Sequence, residues 1–385
     1  MKVSCLQENL ARALSLANRA VAPRTATLPV LTHVLLATDN GRLKVAATNL
    51  ELGISCWIGA KVESEGAITV PARVFSELVA LLPADQVELE LNVRTQTLHV
   101  RGAHTEAHLK GIDAQEFPII PTFSATSAAQ IASATLKKLI AQVAFAATTD
   151  ESRPNLTGVF TKVEDQHITM VATDGYRLSL RKETLQAPFP SDSPLEMLIP
   201  ARALSEVARA LGDQDKERSV AISVTPSHGQ VLFHMENVDV VAQLIDQKFP
   251  PYESIIPRRW ETRVVLNTAE FLKACRQASI FARESADMVR LTIKPADDLG
   301  AGRMLVNARA TESGENMTEL DAEVTGPGLE IGFNVRFLIE ALSAVDTPQV
   351  ALEMTTPSSP VTLRAVGDNQ FLHLIMPMHL PRTSS

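Results

Sequence analysis

The sequence predicts an α+β fold in which one domain is repeated three times along the chain. Two amphipathic helical segments each occur three times, and pairs of short β-rich segments follow them. Evenly divided, a chain of 385 residues gives copies of about 128 residues. Internal repetition on this scale determines the architecture before any single motif does, because each copy must build the same unit.

The first helical segment is amphipathic in all three copies. It reads NLARALSLANRAV at 9–21, TLKKLIAQVAFAA at 135–147 and EFLKACRQASIFA at 270–282. In the first copy, Leu10, Leu14 and Ala17 have the i, i+4, i+7 spacing of one helix face, and the other copies keep it. A basic residue recurs on the opposite face, at Arg12, Lys138 and Lys273.

The second helical segment also aligns without gaps. It reads VPARVFSELVALL at 70–82, IPARALSEVARAL at 199–211 and FNVRFLIEALSAV at 333–345. An arginine is followed four residues later by a glutamate in each copy, as Arg73/Glu77, Arg202/Glu206 and Arg336/Glu340. Such a pair is either a solvated ion pair of small energy or part of a functional surface, and the sequence leaves both open.

Strand-like segments separate the helices. Equivalent runs lie at 41–58, 167–182 and 303–320, and a β-rich pair follows each second helix, as in VELELNV and TLHVRG. Alternating apolar residues between turn residues are typical of antiparallel hairpins. Proline-rich segments at 117–130 and 249–261 are predicted linkers. The predicted domains are 1–122, 128–250 and 258–385.

Charge is unevenly distributed. The chain has a net charge of −8, yet the six repeated helices carry +6, so the remainder carries −14. Basic helices in an acidic protein favour a surface that binds phosphates, although helix surfaces ordinarily carry some Lys and Arg. No recognition helix, zinc finger or RNP aromatic pair is present, so contacts to nucleic acid would be to phosphates and independent of sequence.

Motifs for catalysis are missing. The sequence contains no P-loop, HExxH, GxSxG or GxGxxG, and we expect no cofactor and no metal. His104 and His108 lie near a strand end without an acidic partner at ligand spacing, and Asp174 in ATDGYRL is first of all a turn residue. An enzyme is therefore not expected.

The N-terminal sequence and the cysteine pattern predict the cellular compartment. MKVSCLQENLARALSL has no apolar core of a secretory signal, and no apolar stretch is long enough to span a membrane. Cys5, Cys56 and Cys275 form no CxxC pair and have no metal-ligand spacing. We expect buried, reduced thiols in a cytoplasmic protein that associates with the nucleoid.

Several motifs together resemble one family. They are TLPVL (27–31), TDESRPNLTGV (149–159), ATDGYRLSL (172–180), IDQKFPPYESIIP (245–257), LEIGFNVRFL (329–338) and IMPMHL (375–380). In this order and spacing they closely resemble the β subunits of bacterial DNA polymerase III, the sliding clamps. The resemblance covers nearly the whole chain.

The resemblance implies a fold and an activity. Three domains per subunit would close head to tail into a dimeric ring, with helices lining the hole around double-stranded DNA and antiparallel sheets outside. The ring would act as a non-catalytic processivity factor, opened by a clamp loader complex that uses ATP. It would hold the polymerase III α subunit, other polymerases, and mismatch-repair and ligase-type partners through short peptides.

The resemblance also implies a hydrophobic peptide-binding cleft. Its residues would be Leu156, Thr173, Gly175, Tyr176, Arg177, Leu178, Pro250, Ile255, Pro360, Leu374, Ile375, Met376, Pro377 and Met378. We expect Leu178, Ile255, Leu374 and Met376 to form an apolar floor, and Tyr176 and Arg177 to donate hydrogen bonds from the rim. The rim departs from the familiar family pattern at Tyr176, Ser254, Ala286 and His379.

Two further surfaces are implied. For DNA, Arg24 and Arg153 match family contact positions, and the repeat adds Arg12, Lys138, Arg202 and Lys273. For the dimer interface, Ile280 and Phe281 of the third domain would meet the strand near Leu109 of the first. Glu106 and Ala107 stand where Arg and Phe are familiar, so the ion pairs of that interface would differ.

Two other functions compete with this one. A repeat-built protein-binding scaffold that never meets DNA would show no charge bias on its helices. An enzyme whose site no motif reveals would have one asymmetric cluster of polar residues in a single copy. The best candidate cluster, around ATDGYRL, is flanked instead by apolar residues suited to docking.

Overall fold

The computed structural model of the chain describes residues 1–123, 128–190, 193–212, 218–296 and 301–380. These residues fall into two compact units. The first unit holds Met1–Leu136, Leu185–Asp192 and Arg202–Leu244, and the second holds Lys137–Thr184, Ser193–Ala201 and Ile245–Ser385. The middle third of the sequence therefore contributes to both units.

One antiparallel sheet organises the first unit. Its strands are β1 (Lys2–Leu6), β2 (His33–Asp39), β3 (Arg42–Thr48), β4 (Leu52–Ser64), β5 (Ala67–Pro71), β6 (Gln86–Asn92), β7 (Thr97–Gly102), β8 (Thr105–Lys110), β9 (Ala129–Ala132), β14 (Ser219–Val224), β15 (Gln230–Met235) and β16 (Val238–Gln243). They follow the path β8-β7-β6-β1-β4-β16-β15-β14-β9, while β3 pairs with β4 and β2, and β5 with β2.

The long strand β4 gives this sheet its continuity. Its first half, from Leu52 to Cys56, is buried and pairs with both β3 and β16. Its second half pairs with β1 from Ala60 to Ser64 and is largely exposed. A strand that is buried on both faces carries few polar side chains, and Ser55 is the one polar residue of this buried stretch.

Helices cover the first unit's sheet. They are α1 (Gln7–Ala17), α2 (Ala72–Leu81) and α4 (Ala201–Ala210), whose first residue belongs to the second unit. In α1 the buried residues include Leu10, Leu14 and Ala17, the apolar face that the spacing predicts. This face packs against α2, β3 and β4, which leaves the basic face of α1 in solvent.

The second unit contains two antiparallel sheets. The larger follows β13-β10-β11-β12-β25-β24-β23-β17-β21 and the smaller follows β20-β19-β18-β22. The strands are β10 (Gly158–Glu164), β11 (His167–Thr173), β12 (Arg177–Thr184), β13 (Leu195–Pro200), β17 (Thr262–Asn267), β18 (Met288–Lys294), β19 (Arg303–Ala310), β20 (Gly314–Asp321), β21 (Glu323–Thr325), β22 (Leu329–Asn334), β23 (Gln349–Met354), β24 (Val361–Ala365) and β25 (Phe371–Ile375).

The second unit's core lies between its sheets and two packed helices. Helices α5 (Thr268–Ala282) and α6 (Val335–Ala344) contact each other, and Phe271 and Leu338 are fully buried in one apolar cluster with strands of both sheets. Asn267 and Asn334 cap these helices, because each side-chain oxygen accepts a backbone N–H of the first turn. Helix α3 (Ser133–Val143) precedes β10.

The predicted helices and hairpins are confirmed. Each of the six helices lies within its predicted segment or extends past it by no more than two residues, and the predicted strand pairs form antiparallel partners. The 249–261 segment contains only a short 3-10 helix, Glu253–Ile255. Of the 117–130 segment, residues 124–127 lie outside the described residues.

The recurring Arg/Glu pairs do not behave alike. Arg73 and Glu77 form the predicted i, i+4 ion pair, with Nε 2.7 Å from Oε1. Glu206 pairs instead with Arg19 and Arg209. Arg336 pairs with Asp287, and Glu340 pairs with Arg177. The repeat therefore conserves the residue types but not the partners, because tertiary neighbours compete with the helical spacing.

Candidate functional site

Adjacent strands β12 and β25 form the base of the candidate cleft. They pair in antiparallel register, with Arg177 opposite Ile375 and Leu178 opposite Leu374. The pairing continues beyond the strand end, where the Met376 N–H donates to the Tyr176 carbonyl at 2.8 Å. This register brings ATDGYRL and IMPM, which are about 200 residues apart in sequence, to one place in the second unit.

An apolar cluster lies at this base. Val171, Leu178, Leu372 and Leu374 are buried in it. Leu178 is 0% and Leu374 is 1% exposed, so neither offers a surface to a ligand. Of the four residues expected to form the apolar floor, these two therefore belong to the buried cluster beneath the surface. They support the site from below.

The accessible apolar surface comes from other residues. Tyr176 is 63%, Ile255 46% and Met376 39% exposed. Met376 follows β25 directly, and Ile255 lies between Tyr252 and Ile256, which both pack against the apolar cluster. Large apolar side chains exposed together beside a buried cluster are typical of a binding surface.

Three aromatic rings beside the cluster were missed by sequence reasoning. Phe160 and Phe249 stack with centroids 5.5 Å apart, and Tyr252 lies 6.2 Å from both. They fix the FPPY segment, including Pro250, against β10. The sequence does contain a signal for this packing, since two aromatic residues flank two prolines in a predicted linker. Aromatic rings bury large apolar areas and therefore tend to pack onto a neighbouring surface.

The turn between β11 and β12 is held by Asp174 and Thr173. The Asp174 carboxylate accepts the N–H groups of Tyr176 and Arg177, at 2.8 and 3.0 Å. The Thr173 hydroxyl donates to the Arg177 carbonyl at 2.6 Å. Gly175 has φ +94°, a conformation that favours glycine. Asp174 is thus a turn residue, as predicted, and its carboxylate accepts two backbone N–H groups and the Arg177 Nε–H.

Arg177 does not lie at the rim. Its side chain is only 8% exposed, and its guanidinium donates to Asp174, to Glu340 and to the Phe145 carbonyl. It also lies 4.5 Å from the ring centroid of Phe337. The expectation that Arg177 lies at the rim and donates to a bound peptide is wrong, because its side chain is enclosed and three of its N–H groups already have partners within the unit. It holds the turn from inside the unit.

The other cleft residues border the same base. Leu156 is partly buried in a 3-10 helix whose neighbour Arg153 donates to the Asp174 carbonyl at 3.0 Å. Pro360 precedes β24, which pairs with β25. Pro377 and Met378 follow β25, and Met378 donates to the Gly332 carbonyl at 2.8 Å. A Cβ at Gly332 would lie 2.9 Å from the carbonyl oxygen of Met378 and 2.8 Å from the Leu380 side chain, so the close approach of the two segments favours glycine.

The positions that depart from the family pattern are mostly in solvent. Tyr176, Ser254, Ala286 and His379 are exposed. Ala286 adopts a left-handed conformation at the end of the 3-10 helix Arg283–Ser285, which follows α5. None of the four residues belongs to the apolar cluster at the base.

The basic residues predicted to meet DNA divide into two groups. Arg12, Arg24, Arg202 and Lys273 are exposed and form no ion pair among the described residues. Lys138 instead pairs with Asp346 at 2.8 Å and with Asp368 at 3.5 Å. Arg153 pairs with Asp150. Part of the positive charge on the helices is therefore offset by acidic residues from other elements, which the count along the sequence could not show.

The predicted interface residues lie near the ends of two sheets. Leu109 is on β8, which pairs with β7 alone within the described residues, and its side chain is buried. Ile280 on α5 is 62% exposed, and Phe281 packs partly against the core. Strand β20, which contacts α5, likewise has a single described strand partner, β19.

The cysteines are buried, as expected. Burial raises the pKa of Cys5 and of Cys56 to about 12 and raises that of Cys275 as well. These thiols are therefore poor nucleophiles at neutral pH.

His108 has acidic and imidazole neighbours that the sequence did not reveal. Glu106 is two residues away on the same strand, and His99 lies directly opposite His108 on β7. The ligand atoms of the three residues lie within 4.8 Å of one another. The expectation that His108 lacks an acidic partner is wrong, since neighbours across a hairpin depend on register rather than on sequence distance.

His373 on β25 is the most deeply buried ionisable group near the cleft. Neither ring nitrogen has a hydrogen-bond partner in the described part of the chain. Burial, with the charge of Arg177 nearby, lowers the pKa of His373 to about 3. The imidazole is therefore neutral in the folded protein throughout the physiological range.

This burial predicts a pH dependence of stability. An unfolded histidine binds a proton below pH ~6.5, so between about pH 6.5 and 3 the unfolded state binds more protons than the folded state. The free energy of unfolding is therefore highest above this pH range, where the histidine is neutral in both states. It falls on acidification through the range, by up to about 1.4 kcal/mol per pH unit. Between pH 7 and 5, we expect the free energy of unfolding of His373→Leu to fall by about 2 kcal/mol less than that of the wild type.

Urea denaturation at the two pH values measures this difference. Replacing the exposed His167 by Leu is the control and should follow the wild type. Equal losses for His373→Leu and the wild type would contradict the assignment of a neutral buried imidazole.

Family models match this chain in three consecutive segments. The N-terminal domain of the DNA polymerase III beta subunit matches residues 1–121, the central domain 130–251 and the C-terminal domain 253–379. The beta sliding clamp of Synechococcus elongatus is 33% identical over 383 residues, covering 99% of this chain and 100% of that protein. That of Bacillus subtilis is 32% identical over 388 residues, covering 98% and 99%.

Solved structures agree with these relatives. The DNA polymerase sliding clamp from Bacillus subtilis has a TM-score of 0.91 at 31% identity, and it covers 99% of this chain and 100% of its own. The DNA polymerase III subunit beta from Pseudomonas aeruginosa has a TM-score of 0.88 at 28% identity, with the same coverage. The chain, built from three repeated clamp domains, therefore belongs to the family of DNA polymerase III beta subunits, the sliding clamps.

Proposed function

We propose that this chain is a processivity factor of DNA replication and not a catalytic subunit. Two copies form a ring that encircles duplex DNA without sequence specificity and holds the replicative polymerase on it. The observation that carries this proposal is the match of all three clamp domain models, in order, along the whole chain. The domains are taken as 1–122, 128–250 and 258–385.

Ring closure is supported by the two sheet ends. Strands β8 and β20 each have an unpaired edge within the described residues, and such edges are usually covered in stable proteins. If β8 of one copy pairs with β20 of the next, head-to-tail association repeats at the second junction and closes. Leu109, Ile280 and Phe281 would then lie at each junction.

The DNA surface is supported by the exposed cations. Helices of three different repeats carry these cations, at Arg12, Arg202 and Lys273. Arg24 lies in a turn that follows α1 in sequence. Cations spread in this way suit phosphates along a duplex and specify no base. Binding is then weak at any one point, and retention depends on enclosure by the ring.

The cleft is the docking site for partners in this proposal. Met376, Ile255 and Tyr176 provide exposed apolar surface over a rigid base, and methionine adapts to varied ligands. An extended peptide with one or two large apolar anchors would suit it. The partners would be the polymerase III α subunit and other polymerases, the clamp loader complex, and mismatch-repair and ligase-type proteins, which compete for one surface.

The chain is expected to work in the cytoplasm, at the nucleoid. The described residues include no helix with the length and apolar character needed to cross a membrane.

Loading onto circular DNA tests the function. The chain is loaded by a clamp loader with ATP onto nicked circular duplex and separated from free protein by gel filtration. We expect it to remain on circles at moderate salt and to be released when the circle is cut. Equal retention before and after cutting would indicate ordinary DNA affinity, and failure to remain on circles would contradict the proposal.

Assembly can be tested separately. Light scattering at micromolar concentration should give about twice the chain mass of 41.7 kDa. Ile280→Asp places a charge on the proposed junction and should shift the protein toward monomer, whereas Ile119→Asp, at a position 95% exposed elsewhere in the chain, should not. A wild type that is only monomeric would contradict the ring.

A further inference from the structure

The outer hairpin of the first unit brings together three potential metal ligands. His99 lies on β7, and Glu106 and His108 lie on β8. One ligand atom from each residue lies within 4.8 Å of the other two. The two imidazole rings meet edge to face, with centroids 4.3 Å apart.

The strand register explains why these side chains share one face of the sheet. His99 is directly opposite His108, and Arg101 is directly opposite Glu106. Since side chains alternate along a strand, Glu106 and His108 point to the same side, while Ala107 and the buried Leu109 point to the other. The cluster is therefore a consequence of the hairpin and persists as long as β7 and β8 pair.

The donor set suits a particular class of ion. Two imidazoles and a carboxylate match first-row divalent transition metals such as Zn²⁺, Ni²⁺ and Cu²⁺, whereas Mg²⁺ and Ca²⁺ prefer oxygen ligands alone. Two ligands on a tetrahedral ion lie roughly 3.3 Å apart, given metal–ligand distances near 2.0–2.1 Å. The present separations, up to 4.8 Å, are larger than this, so metal binding requires the side chains to move closer together, and Glu106 and His108 are exposed.

One ion pair competes with metal binding. The Arg101 Nε lies 3.2 Å from Glu106 Oε1, and both side chains are about half exposed, at 53% and 51%. Such a solvent-exposed pair contributes little to stability, so Glu106 can leave it at small cost. Arg101 then keeps an acidic neighbour, because Glu88 lies opposite it on β6. Glu90 lies opposite His99 in the same way and adds negative charge beside the cluster.

We propose that His99, Glu106 and His108 form a surface binding site for a divalent transition metal ion, with Zn²⁺ the best fit. Three protein ligands leave the fourth tetrahedral position to water or to a ligand from another molecule. The bound ion would link β7 to β8 and stiffen the strand that ends the sheet. Although β8 is also the strand at the proposed ring junction, all three ligands come from one hairpin of a single chain. The proposed function rests on the family match, so failure of the metal site would leave that function untouched.

Zinc titration of the chelator-treated full-length chain tests the site. Calorimetry should show one Zn²⁺ site per chain, and Co²⁺ should give the visible absorption bands of tetrahedral coordination. We expect His99→Ala and His108→Ala each to weaken binding by at least roughly 10–100-fold and to abolish the Co²⁺ bands. His104→Ala is the matched control, because His104 is exposed in the turn of the same hairpin.

The outcomes separate clearly. Loss of binding in both ligand variants, with wild-type affinity in His104→Ala, would support the site. No Zn²⁺ binding by the wild type at about 100 µM would overturn it. Unchanged binding in His99→Ala and His108→Ala would also overturn it, since the ion would then be held elsewhere.

Discussion

Replacing Ile255 and Met376 together by alanine is expected to abolish stimulation of the polymerase while leaving the ring and its retention on DNA intact. Both side chains are substantially exposed, at 46% and 39%, so their removal leaves no cavity in the core. A buried apolar anchor contributes roughly 1.5–3 kcal/mol on binding, so a peptide that loses both contacts should bind at least roughly 100-fold more weakly.

Calorimetry with a peptide from the polymerase III α subunit measures this effect, and primer extension on circular templates measures its consequence. Leu81→Ala with Val93→Ala is the control, because these residues are 86% and 66% exposed and lie on the first unit. Leu178→Ala is unsuitable, since a fully buried leucine costs about 2–5 kcal/mol of stability when truncated. Equal peptide affinity in the Ile255/Met376 variant and the wild type would place the docking site elsewhere.

Reversing the charge of Arg12, Arg202 and Lys273 to Glu is expected to cause the second large effect, loss of DNA retention. Each substitution replaces attraction between a cation and a DNA phosphate by repulsion. A ring of two chains would contain each substitution twice. Because each phosphate contact contributes to the salt dependence of binding, direct affinity should fall by roughly 100-fold or more near 0.1 M salt. The dimer should survive, since none of the three forms an ion pair in the described part of the chain.

Retention on nicked circles is the measurement for this variant. The control reverses Arg94, Lys182 and Lys294, three exposed cations outside the six α-helices, and makes the same change in net charge. We expect the control to be retained like the wild type. If both variants lose retention equally, only net charge matters and the helix surface has no special role. If neither loses it, the assignment of the DNA surface is wrong.

The sequence alone determined the repeat, its six helices and its hairpins. Local periodicity carries that information: Leu10, Leu14 and Ala17 lie on one helix face whatever surrounds the helix, and the structure buries all three. The turn at Asp174 and Gly175 was likewise predictable, because side-chain capping and positive φ depend on neighbouring residues. The family motifs also named the residues of the candidate cleft, although they did not show which of those side chains are exposed.

Only the tertiary structure decided the partners of charged groups and the exposure of apolar ones. Glu206 pairs with the distant Arg19 as well as with Arg209 on its own helix, and Glu340 pairs with Arg177. Lys138 pairs with Asp346 and Asp368. Ion pairs and burial depend on distances across the fold, and strand register sets those distances. For the same reason Arg177 is enclosed while its neighbour Tyr176 is exposed, and His99 meets His108 across a hairpin that the sequence presents as nine residues of separation.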